Sequence, residues 1–275
     1  MDWREVENAV ARADPDRYVA SLFAPSSRRR GLIALYAFNH EIARIREIVQ
    51  EPLLGHIRLG WWREQIAAIF EGREVTVPLA MALRQTVEAF ALPGSLFEAY
   101  LEARGLDLVE APFADEAALE GYTSATAGGL MQLAARVMGA GDGADSAARH
   151  AGIAFAYAGY IRSLGFDAAG RFCCLPLAWL EAEQVSPEDV FAGVATPNLR
   201  RVITRLGDSA LRHSRAARTQ KFPAAAITAL SPAALVDVYV KRSAEPASDL
   251  FGKQAALSET ERVARIALAT LTRRI

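Results

Sequence analysis

The chain has 275 residues, with 31 Lys plus Arg against 32 Asp plus Glu and a formal net charge of −1. That length buries enough apolar surface to fold without disulfides or a structural metal, and the balanced charge excludes the broad basic field of a nucleic-acid-binding protein. The two cysteines are the neighbours Cys173 and Cys174, which match neither a C-x-x-C redox pair nor a zinc ligand set, so reduced thiols in a reducing compartment are expected. The N-terminal MDWREVENAVARADPDRY is polar and acidic, and no signal or transit peptide is expected there. Arg exceeds Lys by 28 to 3, as in GC-rich bacterial genomes, and the reading is a cytoplasmic protein. No apolar run approaches the roughly 18 residues of a membrane span. The longest, at residues 151–161, is expected to be a buried core helix, so no transmembrane helix is expected, although the chain could lie against a membrane at its periphery.

In chain order, helical periodicity recurs and strand alternation does not. Over residues 30–49, Ile33, Leu35, Tyr36, Phe38, Ile42, Ile45 and Val49 recur at three- and four-residue steps, which predicts one long amphipathic helix stopped by Pro52. Further helices are predicted at 54–70, 78–90, 94–106, 116–138 and 146–164. Ser186-Pro187 and Ser231-Pro232 each read as an N-cap followed by proline at the first helical position, and Ser258-Glu259-Thr260-Glu261 reads as a capping box opening the last helix. Residues 107–115, the glycines Gly139, Gly141 and Gly143, and residues 167–171 are expected loops. With no linker, repeat or low-complexity tract, the expectation is one all-α domain over residues 1–275.

Four pieces carry a family resemblance: DRYVASLFAPSSRRRGLIALYAF, then RLGWWR at 58–63, then Tyr122 with TAGG at 126–129, then YIRSLGFDAAGRFCCLP at 160–176. In order and spacing they resemble the squalene and phytoene synthase family, from about Asp16 to about Arg218. The resemblance implies the all-α isoprenoid (terpenoid) synthase fold, with helices around a central apolar cavity for prenyl tails and an acidic rim for diphosphates. In that family two prenyl diphosphates are joined. Ionising an allylic diphosphate needs Mg²⁺ bridged to carboxylates, and carboxylates four residues apart on one helix share a face, so an Asp-x-x-x-Asp on each of two facing helices forms a clamp.

Laid on this chain, the family pattern places the first clamp at Ala43 and Glu47, with Arg44 where a second aspartate usually follows, and the second at Ser163 and Asp167. Each pair keeps one carboxylate of two, leaving Glu47 and Asp167 as vestigial ligands. Halving the acidic ligands beside Arg44 and Arg46 should cost roughly several kcal/mol of Mg²⁺ affinity. Gly159 departs in the same direction, standing where the family tends to have asparagine. The pocket candidates are Tyr36, Asn39, Ala43, Arg44, Glu47, Ser163 and Asp167, with no catalytic residue and no metal ligand assigned.

Several side chains admit two readings. Arg44 and Arg46 are either solvated or paired with Glu41 and Glu47, or their guanidinium groups replace Mg²⁺ and grip a phosphate or anionic lipid head. His40 reads as structural before catalytic. Trp61-Trp62 is expected to place one ring in the core and one near the surface, secondarily at a membrane-facing edge. Gly128-Gly129 reads as close helix packing or close ligand approach. Cys173-Cys174 is expected to be buried filler. Ser163, His150 and Asp167 contain triad residue types without a geometry.

Within the family, AFNHEIA, the following EPLLGHIRLGWWR and the downstream FCCLPLAWLEAEQVSPEDV resemble a degenerate branch, that of the mitochondrial respiratory complex I assembly factor and its bacterial relatives. This resemblance implies a non-catalytic pseudoenzyme. It would aid complex I assembly or bind a prenyl or lipid ligand, with a respiratory-complex subunit as partner, no cofactor, and a peripheral place at the inner membrane. Two alternatives stand beside it. One is a Mg²⁺-dependent head-to-head prenyl transferase of the squalene/phytoene type, with Mg²⁺ as its cofactor. The other is an isoprenoid- or quinone-binding module with no assembly role.

Overall fold

A computed structural model of the chain describes residues 3–49, 51–109, 111–245, 248–252 and 257–275. Among them no strand occurs. The helices run α1 (Trp3–Ala13), α2 (Pro15–Leu22), α3 (Ser26–Ala43), α4 (Ile45–Ile48), α5 (Pro52–Phe70), α6 (Pro78–Phe90), α7 (Gly94–Ala103), α8 (Glu116–Thr123), α9 (Gly129–Val137) and α10 (Asp145–Ala169). They continue with α11 (Leu177–Ala182), α12 (Pro187–Phe191), α13 (Pro197–Thr219), α14 (Ile227–Leu230), α15 (Val236–Ser243) and α16 (Glu259–Thr272).

The long helix α10 is the axis of the packing and lies along α13, with α9 and α15 against it. Its buried face is built from small residues, including Ala147, Ala148, Ala151, Gly152, Ala154 and Ala158, which let neighbouring backbones come close. Gly152 shows how close: a Cβ there would fall 2.5 Å from the Ala127 carbonyl oxygen and 2.7 Å from Gly128 Cα. The glycines at 128–129 therefore serve helix packing, the first of their two readings. The interior between α3, α5 and α7 is filled by aromatic rings. Phe38 meets Trp62 edge-on at 5.4 Å and lies 5.8 Å from Phe97 and 5.4 Å from Tyr100. Trp62 is in this core and Trp61 is exposed, as the dipeptide predicts.

Several local expectations are corrected, among them the loop expected at 167–171, where α10 continues to Ala169. The helix predicted over residues 30–49 is interrupted: α3 ends at Ala43, Arg44 turns at φ −77° and ψ −5°, and α4 follows for one turn. The helix predicted over 116–138 is split by a π-helical turn, Ser124–Gly128. Ser231 does not N-cap a helix; it follows the last residue of α14 and opens a 3₁₀ turn, and its Oγ donates to the Thr228 carbonyl at 3.0 Å. The stretch Ala224–Ser243 reaches the length and composition of a membrane span, with a mean hydropathy of 1.3, although 67% of its most apolar window is buried against the rest of the fold. Ser186 and Asp189 do form a reciprocal capping box. Ser258 caps α16 through the Glu261 amide, but the Glu261 carboxylate pairs with Arg242 and Arg265 and closes no box.

Two buried polar clusters tie distant segments together. Asp16 on α2, 2% exposed, accepts from Tyr239 on α15 at 2.8 Å, from Arg262 on α16 at 2.6 Å and from Arg162 on α10 at 3.1 Å. One carboxylate thus joins four helices from both ends and the middle of the chain. Between α10 and α13, His150 Nδ1 lies 3.0 Å from His213 Nδ1, with Arg149 at 3.2 Å from His150 Nε2 and Glu120 at 3.6 Å from His213 Nε2. The outer partners set the tautomers. Arg149 needs an acceptor, so His150 carries its proton on Nδ1 and donates to His213, which directs its own N–H toward Glu120. Burial is the main cause holding both imidazoles below the ordinary histidine pKa.

Two outcomes are expected. Asp16→Ala leaves two guanidinium groups without their carboxylate and should destabilise the fold by about 3 kcal/mol in urea unfolding. For the histidine pair, a depressed folded pKa means that the unfolded chain takes up more protons. Its stabilisation is then complete above the unfolded value near 6.5 and is lost as pH falls through the folded values, at up to about 1.4 kcal/mol per pH unit for each ring. Unfolding free energies measured from pH 7.5 to 5 should show this slope in the wild type and a shallower one in His213→Gln.

Candidate functional site

The break at Arg44 opens a cleft of about 630 Å³. Its walls come from three places: Arg46, Glu47 and Val49 of the α4 turn with Pro52 at the start of α5; Asp107 to Val109 after α7; and the last turn of α10 with the following Gly170 to Phe172. These segments meet because α5 packs against both α4 and the 3₁₀ turn Arg104–Leu108.

Arg46 decides the chemistry of the cleft. Its guanidinium donates to Asp167 Oδ1 and stacks over the Phe172 ring, 3.8 Å from the centroid. Asp167 is 3% exposed, and its second oxygen accepts from Ser163 Oγ at 2.5 Å. Burial works against the charge on Arg46, but Asp167 beside it, with Asp107 and Tyr122 further off, outweighs burial and holds the group above its ordinary pKa. Asp107, the other carboxylate of the cleft wall, is likewise taken: it accepts from Arg104 at 3.0 Å and from Tyr122 at 2.5 Å. Arg104 also donates to Tyr122 at 2.9 Å and to Asn39 Oδ1 at 3.3 Å, and Tyr100 donates to Asn39 at 2.9 Å.

These residues do not fit Mg²⁺. A hard divalent ion needs several oxygen ligands free to converge, yet Asp167 and Asp107 are each neutralised by a guanidinium and a hydroxyl, and Glu47 is a single exposed carboxylate. Among the described residues, no group of three or more His, Cys, Asp or Glu side chains is placed to hold a metal ion.

Of the seven pocket candidates, Glu47 and Asp167 line the cleft and Ser163 holds Asp167 from behind. Tyr36 is buried in α3 facing Arg17, and Asn39 belongs to the network behind the cleft wall. Ala43 ends α3, and the half-buried Arg44 forms no ion pair among the described residues. Arg46, weighed above only alongside Arg44, is the arginine that enters. Asp107, Arg104 and Phe172 were not among the candidates; Asp107 stood in an expected loop, and the cluster of three acidic residues in DLVEAPFAD was the signal that could have marked it. Cys173 and Cys174 are buried, and burial pushes the Cys173 thiol up to about 11, in keeping with an unreactive filler.

If the Arg46–Asp167 pair is a desolvated unit, Arg46→Met should cost about 3 kcal/mol, whereas Arg46→Met combined with Asp167→Leu should recover most of that loss. Urea unfolding of the wild type, both single variants and the double variant measures the coupling. A cost near zero for Arg46→Met would show a solvated contact.

Comparison with known proteins gives the family of the chain. The chain is 28% identical over 245 residues to NADH dehydrogenase (ubiquinone) complex I, assembly factor 6, of Rattus norvegicus, covering 88% of this chain and 74% of that one. It is 29% identical over 212 residues to the phytoene synthase of Thermus thermophilus, covering 74% and 70%. In structure it superposes on a dehydrosqualene synthase in complex with ligand, with a TM-score of 0.84 at 16% identity over 98% of this chain and 96% of the other, and so has the all-α isoprenoid synthase fold. The squalene/phytoene synthase family profile matches residues 10–261. The chain therefore belongs to the squalene/phytoene synthase family.

Proposed function

We propose that this chain is a non-catalytic member of its family that serves respiratory complex I assembly, its cleft holding a prenyl or lipid chain or a segment of a partner subunit. The observation that carries the reading is the capture of Asp167 by Arg46 and Ser163. A carboxylate fixed in a charge-assisted pair with a guanidinium that is itself stacked on an aromatic ring is not free to bind a diphosphate-bridging metal. The similarity to complex I assembly factor 6 from several animals supports the assembly role. A place in the bacterial cytoplasm, at the inner face of the membrane, follows from the same reading.

The similarity to a phytoene synthase favours one alternative, a head-to-head prenyl transferase working with a reduced ligand set. The two readings part in one assay. Incubation with geranylgeranyl or farnesyl diphosphate and Mg²⁺ should release no more diphosphate than a heat-killed control; release well above it would contradict the non-catalytic reading. In parallel, membranes from a host strain lacking the chain should lose most of their NADH-dependent quinone reduction, and Arg46→Met should restore less of it than the wild type. Unchanged quinone reduction in the deletion strain would contradict the assembly role.

A further inference from the structure

α5 is apolar on both sides. Gly55, Leu59, Trp62, Ile66 and Ile69 are buried toward the core, while Leu53, 66% exposed, and Ile57, 58% exposed, stand in water with Leu54 and Trp61. At about 100° per residue these four cover an arc of about 100° centred opposite the buried stripe. A helix that buries one apolar face and leaves a second in water has an unpartnered surface, and an exposed apolar patch of this kind marks an interaction surface. The patch continues around the cleft. Ile48, Leu106, Val109 and Phe166, the last 64% exposed, come from the segments that form its mouth.

We infer that this face docks in the interfacial layer of a phospholipid bilayer that carries anionic headgroups, with α5 lying in the membrane plane and the cleft opening onto lipid. The flanking charge, the open exposure of the helix and its continuity with the cleft select this occupant. Arg58 flanks the stripe on one side, and Arg63 and His56 flank it on the other, all exposed. Arg58 has no ion-pair partner among the described residues, so it is available to lipid phosphates. Arg171 adds a largely exposed guanidinium at the cleft mouth, 4.0 Å from Glu188. The acidic neighbours Glu47 and Glu51 lie at the N-terminal end, and Glu64 lies beyond Trp61. No other part of the chain covers the helix beside the stripe: Gly60, between Ile57 and Trp61 in sequence, has nothing within 4 Å of where its Cβ would stand. Trp61 is the ring type that settles at headgroup level of a bilayer. From Leu53 to Trp61 the helix spans about 12 Å. Because the cleft opens within the same apolar field, a lipid or prenyl tail could pass into it without crossing water. This inference stands whether or not the chain acts in complex assembly.

Flotation of the full chain with phosphatidylcholine vesicles containing phosphatidylglycerol tests it. The wild type should float with the vesicles, and Leu53→Glu with Ile57→Glu should lower partitioning at least about tenfold. Arg58→Glu should lower it by about fivefold, an effect that high salt removes from the wild type. Leu268→Glu, on the exposed face of α16, should leave it unchanged. All four substituted side chains are exposed, and circular dichroism and thermal melts of each variant establish that it is folded. Absence of flotation by the folded wild type would overturn the inference. So would equal flotation of the Leu53→Glu, Ile57→Glu variant, or a concentration-dependent dimer in its place that this variant abolishes.

Discussion

The contact on which the cleft depends is the one between Arg46 and Asp167. A guanidinium held over Phe172 and against a buried carboxylate supplies, from within the chain, a positive charge beside that carboxylate. The pair is fixed because it is largely out of water, where a lone Asp167 would be costly, and because Ser163 satisfies the other oxygen. A divalent ion would have to displace a charged, stacked, hydrogen-bonded side chain to reach one carboxylate. The loss of paired aspartates is therefore more than a depletion of ligands. The remaining acidic group has been given a permanent partner.

The frame around this cleft is stabilised by features that do not involve it. Small residues along α10 bring helices into backbone contact, and the aromatic set around Phe38 fills the space between α3, α5 and α7. Asp16 gathers guanidinium groups from α10 and α16 and the Tyr239 hydroxyl from α15. Because these contacts do not use the carboxylates Glu47 and Asp167, the cleft's ligands can change while the fold persists. That is how a chain can match a synthase fold over nearly its whole length and yet, among the described residues, lack a free acidic clamp.

Much of the architecture was legible because it is written in local periodicity. The bounds of α6 follow directly from Pro78 and the apolar spacing after it, and the division of Trp61 from Trp62 follows from their positions on α5. The break at Arg44 was not legible, since no glycine or proline marks it and the turn is set by packing of Ile45 and by the exit toward α5. That break also hid which arginine enters the cleft. Arg44 and Arg46 are two positions apart, about 200° around a helix, and an uninterrupted helix gives no basis for choosing Arg46. The network from Asn39 through Tyr100 and Arg104 to Asp107 and Tyr122 joins residues more than 60 positions apart, beyond the reach of any spacing rule. Ser231-Pro232 had the composition of a helix start, but the preceding α14 continues into it, and the tertiary context of the buried C-terminal segment prevailed.

The central claim is that an internal guanidinium has displaced metal chemistry from this cleft. Calorimetric titration of Mg²⁺ into the wild-type protein with inorganic diphosphate present tests it most directly, with the heat of Mg²⁺–diphosphate association subtracted. The account predicts no saturable protein-dependent heat up to about millimolar Mg²⁺, in the wild type and in Asp167→Asn alike. Saturable binding by the wild type that Asp167→Asn abolishes would contradict it.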